Sequence, residues 1–170
     1  DIIIMGGRDS WRTTDLLVEK NISVIYESVL SVPHRRFEDY DQPYKTPLIL
    51  QNAGVKFCIT NNSSSFHTPH LRDLPYHAAM ASSFGLNPEE AIKSITLATA
   101  EILGIDHKVG SLEVGKDATL FLSNGDILDI RSNVEQAYIM GKKIDMSDRH
   151  KMLNKKYTQK YIQKGILPNE

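Results

Sequence analysis

The stretch Ile2-Ile3-Ile4-Met5-Gly6-Gly7 is a short, fully apolar run that two glycines close. A run without polar alternation is typical of a strand buried on both faces of a parallel sheet. Two further strand patterns follow at residues 22–30, which are rich in β-branched side chains, and at residues 55–60. The sequence therefore predicts at least three buried strands in its first 60 residues.

Helix signals separate these strands. Ser10 is a cap for a helix that we expect from Trp11 to Lys20. Thr46-Pro47 combines a hydroxyl cap with proline at the first helical position, and Gly54 is a stop signal. The order strand, helix, strand, helix, strand predicts an α/β fold with a parallel sheet.

The second half changes from helix signals to strand signals. Asp73 and Asn87 are caps for two helices. Residues 109–122 form a glycine-marked turn followed by an apolar strand, and residues 134–144 flank Gly141 like a tight hairpin. We therefore expect antiparallel strands after the helices.

Charge and composition exclude several classes of protein. The 170 residues include 20 Lys+Arg and 21 Asp+Glu, no apolar run approaches a membrane span, and a single cysteine, Cys58, forms no internal disulfide. Near-zero net charge argues against nucleic-acid binding by the whole domain. Residues 147–170 are basic, and we interpret them as a solvated docking helix rather than a site for nucleic acid or membrane lipid.

Several blocks resemble the C-terminal region of the metal-dependent amidohydrolases, in the imidazolonepropionase-like branch. They are Leu74-Pro-Tyr-His-Ala-Ala-Met-Ala81, Phe84-Gly-Leu-Asn-Pro-Glu-Glu-Ala91, Ile95-Thr-Leu-Ala-Thr-Ala-Glu-Ile-Leu-Gly104, Val109-Gly-Ser-Leu-Glu-Val-Gly-Lys-Asp-Ala-Thr-Leu-Phe-Leu122 and Val134-Glu-Gln-Ala-Tyr-Ile-Met-Gly-Lys-Lys-Ile144. The resemblance is clear over residues 53–145 and weaker over residues 1–52.

The resemblance implies a fold larger than this chain. It predicts the C-terminal portion of a TIM-type (β/α)8 barrel at residues 1–105, strands of a small β-sandwich at residues 106–146 and a basic helical tail at residues 147–170. A complete barrel needs about 250 residues. Because the chain also starts at Asp1 within a strand pattern, we expect a piece of a longer protein.

The resemblance also implies hydrolysis of a C–N bond (amide, lactam or peptide-like) by water that a divalent metal such as zinc activates. The family places a catalytic aspartate after a strand like residues 55–60, and here that position is Asn62. An amide binds metal weakly and does not act as a base near pH 7. We therefore predict no metal site in this chain. Because the chain also lacks the first barrel strand, where the family has its His-x-His metal pair, we predict an inactive fragment of a hydrolase, or else a non-catalytic relative that serves as a ligand-binding or assembly module.

The remaining candidate site residues follow the predicted strands, where barrel sites lie. Arg8 and Asp9 follow the first strand and form either a clamp for a substrate carboxylate or a loop ion pair. His34, after the second strand, is either a substrate contact or an ordinary polar loop residue. Asn61, after the third, is either a hydrogen-bond donor to substrate or part of a connector. Cys58 and His77 are expected to be packed in the core.

The expected partners follow from the incomplete barrel. Three strands without neighbours leave open sheet edges, which favour pairing with other strands. We expect the chain to pair with the N-terminal part of its own polypeptide and to bind a small or peptide-like substrate. In isolation it is expected to self-associate or to cover a sheet edge with its own tail.

Overall fold

The computed structural model describes residues 2–27, 29–61 and 68–168. The strands are β1 (Ile3–Gly6), β2 (Ser23–Tyr26), β3 (Phe57–Ile59), β4 (Leu120–Ser123), β5 (Val134–Ile139) and β6 (Lys142–Lys143). The helices are α1 (Thr14–Glu19), α2 (Gln42–Ala53), α3 (Leu74–Ser83), α4 (Pro88–Ser94), α5 (Leu97–Ile102) and α6 (Arg149–Gln163), with 3-10 turns at Ser10–Arg12 and Thr68–Asp73.

Strands β1, β2 and β3 form a parallel sheet in that order, with Ile4 opposite Val24 and Ile25 opposite Cys58. Helices join consecutive strands, and α2 places Leu50 in the same buried cluster as Val24. The predicted order of strands and helices is confirmed. Strand β1 has the predicted length but is shifted by one residue and is not buried, whereas β2 and β3 are shorter than their sequence patterns. A parallel sheet places the carboxyl ends of all three strands at one end of the sheet, and the described site residues Arg8, Asp9, His34 and Asn61 follow those ends.

Helix α2 begins at Gln42, four residues before the predicted start at Thr46, and it contains Pro47 in its interior. Proline has no N–H to donate to the carbonyl four residues earlier, which here belongs to Pro43. The hydroxyl of Tyr26 donates to that carbonyl at 3.0 Å and replaces the missing bond. The predicted start is therefore wrong, because a side chain of β2 supplies the hydrogen bond that proline removes.

Ser10 does not cap a helix. It begins a 3-10 turn, and α1 starts only at Thr14. Its hydroxyl is buried and finds no hydrogen-bond partner among the described residues. The capping prediction is therefore wrong: Ser10 lies inside the turn that follows β1. By contrast, the predicted cap Asn87 accepts a hydrogen bond from the amide of Glu89 at 2.8 Å.

Strands β4, β5 and β6 form the second sheet, which is antiparallel and contains the predicted hairpin around Gly141. Phe121 and Leu122 of β4 are 47% and 50% exposed. A groove of about 470 Å³ lies between β4 and the α4–α5 pair, and Ile95 and Phe121 are among its lining residues. This sheet therefore has partly exposed apolar side chains.

The basic tail forms α6, and Asp148 caps it by accepting from the amide of Lys151 at 2.8 Å. The helix buries none of its side chains, and Leu153, Tyr157 and Tyr161 on one face are between 37% and 46% exposed. In the part of the chain that the structure describes, no helix has the length and apolar character to cross a membrane.

Candidate functional site

The turn after β1 determines where the first site residues lie. Gly6 and Gly7 both have positive φ, +92° and +59°. A Cβ on Gly7 would approach the Cγ1 of Val24 to 2.5 Å, so only glycine fits against β2 at this point. The chain turns sharply here, and Arg8 and Asp9 follow at the carboxyl end of the sheet.

A network of charged side chains joins this turn to the loop after β2. The Nη1 and Nη2 atoms of Arg35 donate to the two carboxylate oxygens of Asp9 at 2.6 and 2.8 Å. Arg35 Nη1 also donates to Glu38 Oε1 at 2.8 Å. Glu38 Oε2 accepts from the backbone amides of His34 and Arg35 at 2.9 and 3.1 Å. Asp9 therefore forms a loop ion pair, and its direct contact with substrate stays a prediction.

Arg8 and His34 lie side by side next to this network. Arg8 Nη1 is 3.4 Å from His34 Nδ1. Both residues line a small cavity of about 20 Å³, and the buried residues Tyr26 and Thr46 line it as well. A cavity of this size has room for about one water molecule. A larger molecule would therefore bind above it, at the carboxyl ends of the strands.

The network fixes the charge of its acids. Hydrogen bonds from Arg35 hold the pKa of Asp9 and the pKa of Glu38 below their ordinary values of 3.8 and 4.5. Both side chains are therefore ionised at neutral pH. Since the folded pKa values are the lower ones, the contribution of these acids to stability is complete above the ordinary values. It is lost as the pH falls through the lowered values.

Two predicted residues follow β3, and one of them lies in the described part of the chain. Asn61 is buried, and its Nδ2 donates to the carbonyl of His70 at 2.6 Å. This bond ties the end of β3 to the turn before α3. Asn61 does not line the cavity beside Arg8. Asn62, the predicted catalytic position, lies outside the described residues.

No group of three or more His, Cys, Asp or Glu side chains with the geometry to hold a metal ion occurs in residues 2–27, 29–61 and 68–168. Cys58 is buried in β3 as predicted, and burial raises the pKa of its thiol. The higher pKa disfavours the thiolate form, which is the form that binds metals. His77 is also buried as predicted, and burial lowers its pKa. The described side chains therefore do not fit a metal.

Arg35, Glu38 and Tyr26 are the residues of the candidate site that the sequence patterns missed. The loop that contains Arg35 is visibly basic and polar, but Arg36 is adjacent and identical in type. The sequence has no signal that distinguishes them. A hydrogen-bond donor such as the Tyr26 hydroxyl was predictable in principle, because a proline inside α2 leaves a backbone carbonyl without its usual N–H donor.

The fold and this site are those of an α/β protein with functional groups at the carboxyl ends of parallel strands. A profile described as the Amidohydrolase family matches residues 47–152, which is more than half of the chain. The chain belongs to the amidohydrolase family.

Two relatives are both described as imidazolonepropionase. The protein of Shewanella frigidimarina (strain NCIMB 400) is 43% identical over 93 residues, which are 55% of this chain and 22% of the relative. The protein of Shewanella baltica (strain OS223) is 35% identical over 98 residues, 57% of this chain and 23% of the relative. The match thus spans about a quarter of the length of these relatives.

Solved structures show the same type of fold. An amidohydrolase from Thermotoga maritima MSB8 superposes with a TM-score of 0.72 and 29% identity, covering 85% of this chain and 37% of that one. A Xaa-Pro dipeptidase with bound methionine in its active site gives a TM-score of 0.58 at 21% identity, covering 85% of this chain and 40% of that one. An adenosine deaminase from Xanthomonas campestris with bound zinc gives a TM-score of 0.53 at 21% identity, covering 90% of this chain and 40% of that one. These likenesses indicate an α/β fold of the TIM-barrel type.

Proposed function

We propose that this chain is the C-terminal part of an amidohydrolase that hydrolyses a C–N bond in a small or peptide-like substrate. Amide, lactam and peptide-like bonds are the candidates. The observation on which this rests is the pairing of Arg8 with His34, 3.4 Å apart, at the carboxyl ends of parallel strands in a chain of this family. The names of the relatives, imidazolonepropionase and Xaa-Pro dipeptidase, support the same class of bond.

Arg8 is proposed to bind a carboxylate of the substrate. A guanidinium forms two parallel charge-assisted hydrogen bonds with a carboxylate, which fixes both position and orientation. The small cavity below Arg8 and His34 accommodates a water rather than the substrate, so the substrate lies above it. The Asn61 amide already donates to the carbonyl of His70, so we propose only the next residue in the chain, Asn62, as a further donor after β3.

The family resemblance implies a divalent metal, with zinc among the candidates, in the full-length protein. The described side chains do not fit such a metal, so its ligands would come from elsewhere. We therefore expect this chain by itself to be inactive.

A non-catalytic relative, serving as a ligand-binding or assembly module, is the second candidate. One observation favours it: Asn62 occupies the position where the resemblance implies a catalytic aspartate. An asparagine amide donates and accepts hydrogen bonds but does not take up a proton near neutral pH. Such a protein would keep the Arg8 site as a binding site for carboxylates without hydrolysing them.

Hydrolysis assays on the full-length protein separate the two candidates. We expect turnover of at least one member of a panel of carboxylate-bearing amides, lactams and dipeptides, with metal content measured on the same sample. Matched neutral amides, which lack the carboxylate, are the control and should react more slowly. Absence of turnover across the panel with added zinc, together with carboxylate binding in calorimetry, would leave only the non-catalytic candidate.

The same proposal assigns residues 1–105 to the barrel, 106–146 to the sandwich and 147–170 to the helical tail. In the described sheet, β1 is an edge strand, and Ile3 and Met5 are 41% and 55% exposed. An edge strand has unpaired backbone groups that favour pairing, here with the N-terminal part of the polypeptide or with a second copy. Sedimentation of the chain over a range of concentrations checks self-association, and a monomer at every concentration would contradict it.

A further inference from the structure

We propose that Arg35 is a positioning residue. It holds the 34–38 turn on the end of β1, keeps His34 beside Arg8 and neutralises Asp9. This inference rests on the proposed function for its kinetic readout, but its structural readout is independent of any activity.

The loop between β2 and α2 depends on a few attachment points. Residues 29–41 contain no helix or strand among the described positions. Val29 is fully buried at one end of the loop, and Asp41 forms an ion pair with Lys45 of α2 at 2.7 Å at the other end. Between these ends, the charged network around Arg35 attaches the loop to the sheet. Together with the contact between His34 and Arg8, that network joins the middle of the loop to the turn after β1.

Glu38 makes the 34–38 turn a rigid unit. Its side chain is 6% exposed, and each of its oxygens accepts at least one hydrogen bond, from Arg35 Nη1 and from the amides of His34 and Arg35. A buried carboxylate is tolerated when it is paired in this way. The backbone of His34 is therefore fixed to the same carboxylate as the guanidinium of Arg35.

Arg35 attaches this rigid unit to β1. Its two parallel hydrogen bonds to Asp9 cross 26 residues of sequence. A bidentate arginine–carboxylate pair sets an orientation as well as a distance, which a lysine would not reproduce. The position of His34 relative to Arg8 thus follows from the Arg35–Asp9 pair.

The pair also determines the charge at the site. Asp9 is adjacent to Arg8 in the chain, and an unpaired carboxylate there would compete with a substrate carboxylate for the Arg8 guanidinium. Because Arg35 donates to both oxygens of Asp9, this carboxylate is neutralised and competes less for the Arg8 guanidinium. Arg35 therefore acts on binding through Asp9 and His34 without touching the substrate.

The structural test is hydrogen exchange by mass spectrometry on full-length protein. Arg35→Gln should accelerate exchange of the peptide covering residues 31–41 by about fivefold or more, while peptides of β2 and α2 stay unchanged. The control is Arg36→Gln, since Arg36 is adjacent, exposed and without a hydrogen bond or ion pair to the described residues. Arg35→Lys should give an intermediate exchange rate, because lysine keeps the positive charge but does not form the two parallel hydrogen bonds of the guanidinium. Unchanged exchange in Arg35→Gln would overturn the proposal.

Asp9→Asn provides a second, milder way to break the same pair. It should accelerate exchange over residues 31–41 as Arg35→Gln does, and the two changes combined should have little more effect than one. Additive effects would overturn the proposal, because they would mean that the residues act separately.

In kinetics, Arg35→Gln should raise KM for a carboxylate-bearing substrate about tenfold and leave kcat within about twofold, and adding Asp9→Asn should restore part of the loss. A fall in kcat with KM unchanged would contradict a positioning role. If no variant and no unmodified protein hydrolyses the panel, the proposed function fails, whereas the exchange results still decide the role of Arg35.

Discussion

Replacing Arg8 by glutamine in the full-length protein is expected to raise KM for a carboxylate-bearing amide by about 10- to 100-fold. A hydrogen bond to a charged group contributes about 1.5–3 kcal/mol, and about 1.4 kcal/mol corresponds to a factor of ten. Glutamine retains hydrogen-bonding atoms but has no positive charge, so the loss is electrostatic. Steady-state kinetics with a carboxylate substrate and its neutral amide analogue measures the effect.

Two controls make this result specific to Arg8. The neutral analogue should respond to Arg8→Gln by less than about twofold, because it has no carboxylate to lose. Arg12→Gln removes another exposed arginine of the same segment that does not line the cavity, and it should behave as the unmodified protein. Equal losses for the charged and the neutral substrate would show that Arg8 supports the fold rather than binding a carboxylate.

The sequence predicts the order of elements because two simple signals dominate in this chain. The first is the apolar run at residues 2–5, which fits a strand of a parallel sheet. The second is glycine at helix ends: Gly54 has a φ of +80° and ends α2 as predicted. Both signals are local, so they are present in the sequence without any knowledge of the partner segments.

The errors occur where a distant residue changes a local preference. Proline within a helix is locally unfavourable, and the prediction therefore placed Pro47 at a helix start. In the structure, Tyr26 of β2 donates to the carbonyl that Pro47 leaves open, and the helix extends back to Gln42. Burial raises the pKa of Tyr26 to about 12, so its hydroxyl remains a donor at neutral pH.

The sequence predicts where the candidate site lies, but it does not predict which of the side chains there pair with one another. The rule that parallel strands end at one edge brings Arg8, Asp9 and His34 together, and the structure places them there. Which residue pairs with Asp9 depends on the course of a 13-residue loop over residues 29–41, and Arg35 and Arg36 are equivalent in the sequence. The choice between them is made by the turn that Glu38 organises.

The stability of the site depends on the core beneath it, and Leu50→Ala should destabilise the protein by about 2–5 kcal/mol. Leu50 is fully buried in α2 and belongs to the same buried cluster as Val24 and Tyr26 of β2. Truncation leaves a cavity that close-packed neighbours fill only in part. Urea unfolding followed by circular dichroism measures the loss as a lower midpoint with an unchanged slope.

The control for Leu50→Ala is Leu16→Ala in α1, which removes the same atoms from a side chain that is 51% exposed. It should change stability by less than about 1 kcal/mol. Because total stability is about 5–15 kcal/mol, the buried substitution removes a large share of it and the exposed one does not. Similar losses at both positions would mean that α2 is not the helix that supports the sheet. In that case, the hydrogen bond from the Tyr26 hydroxyl to the Pro43 carbonyl would no longer explain how residues 29–41, the loop before α2, are held at the carboxyl ends of the strands.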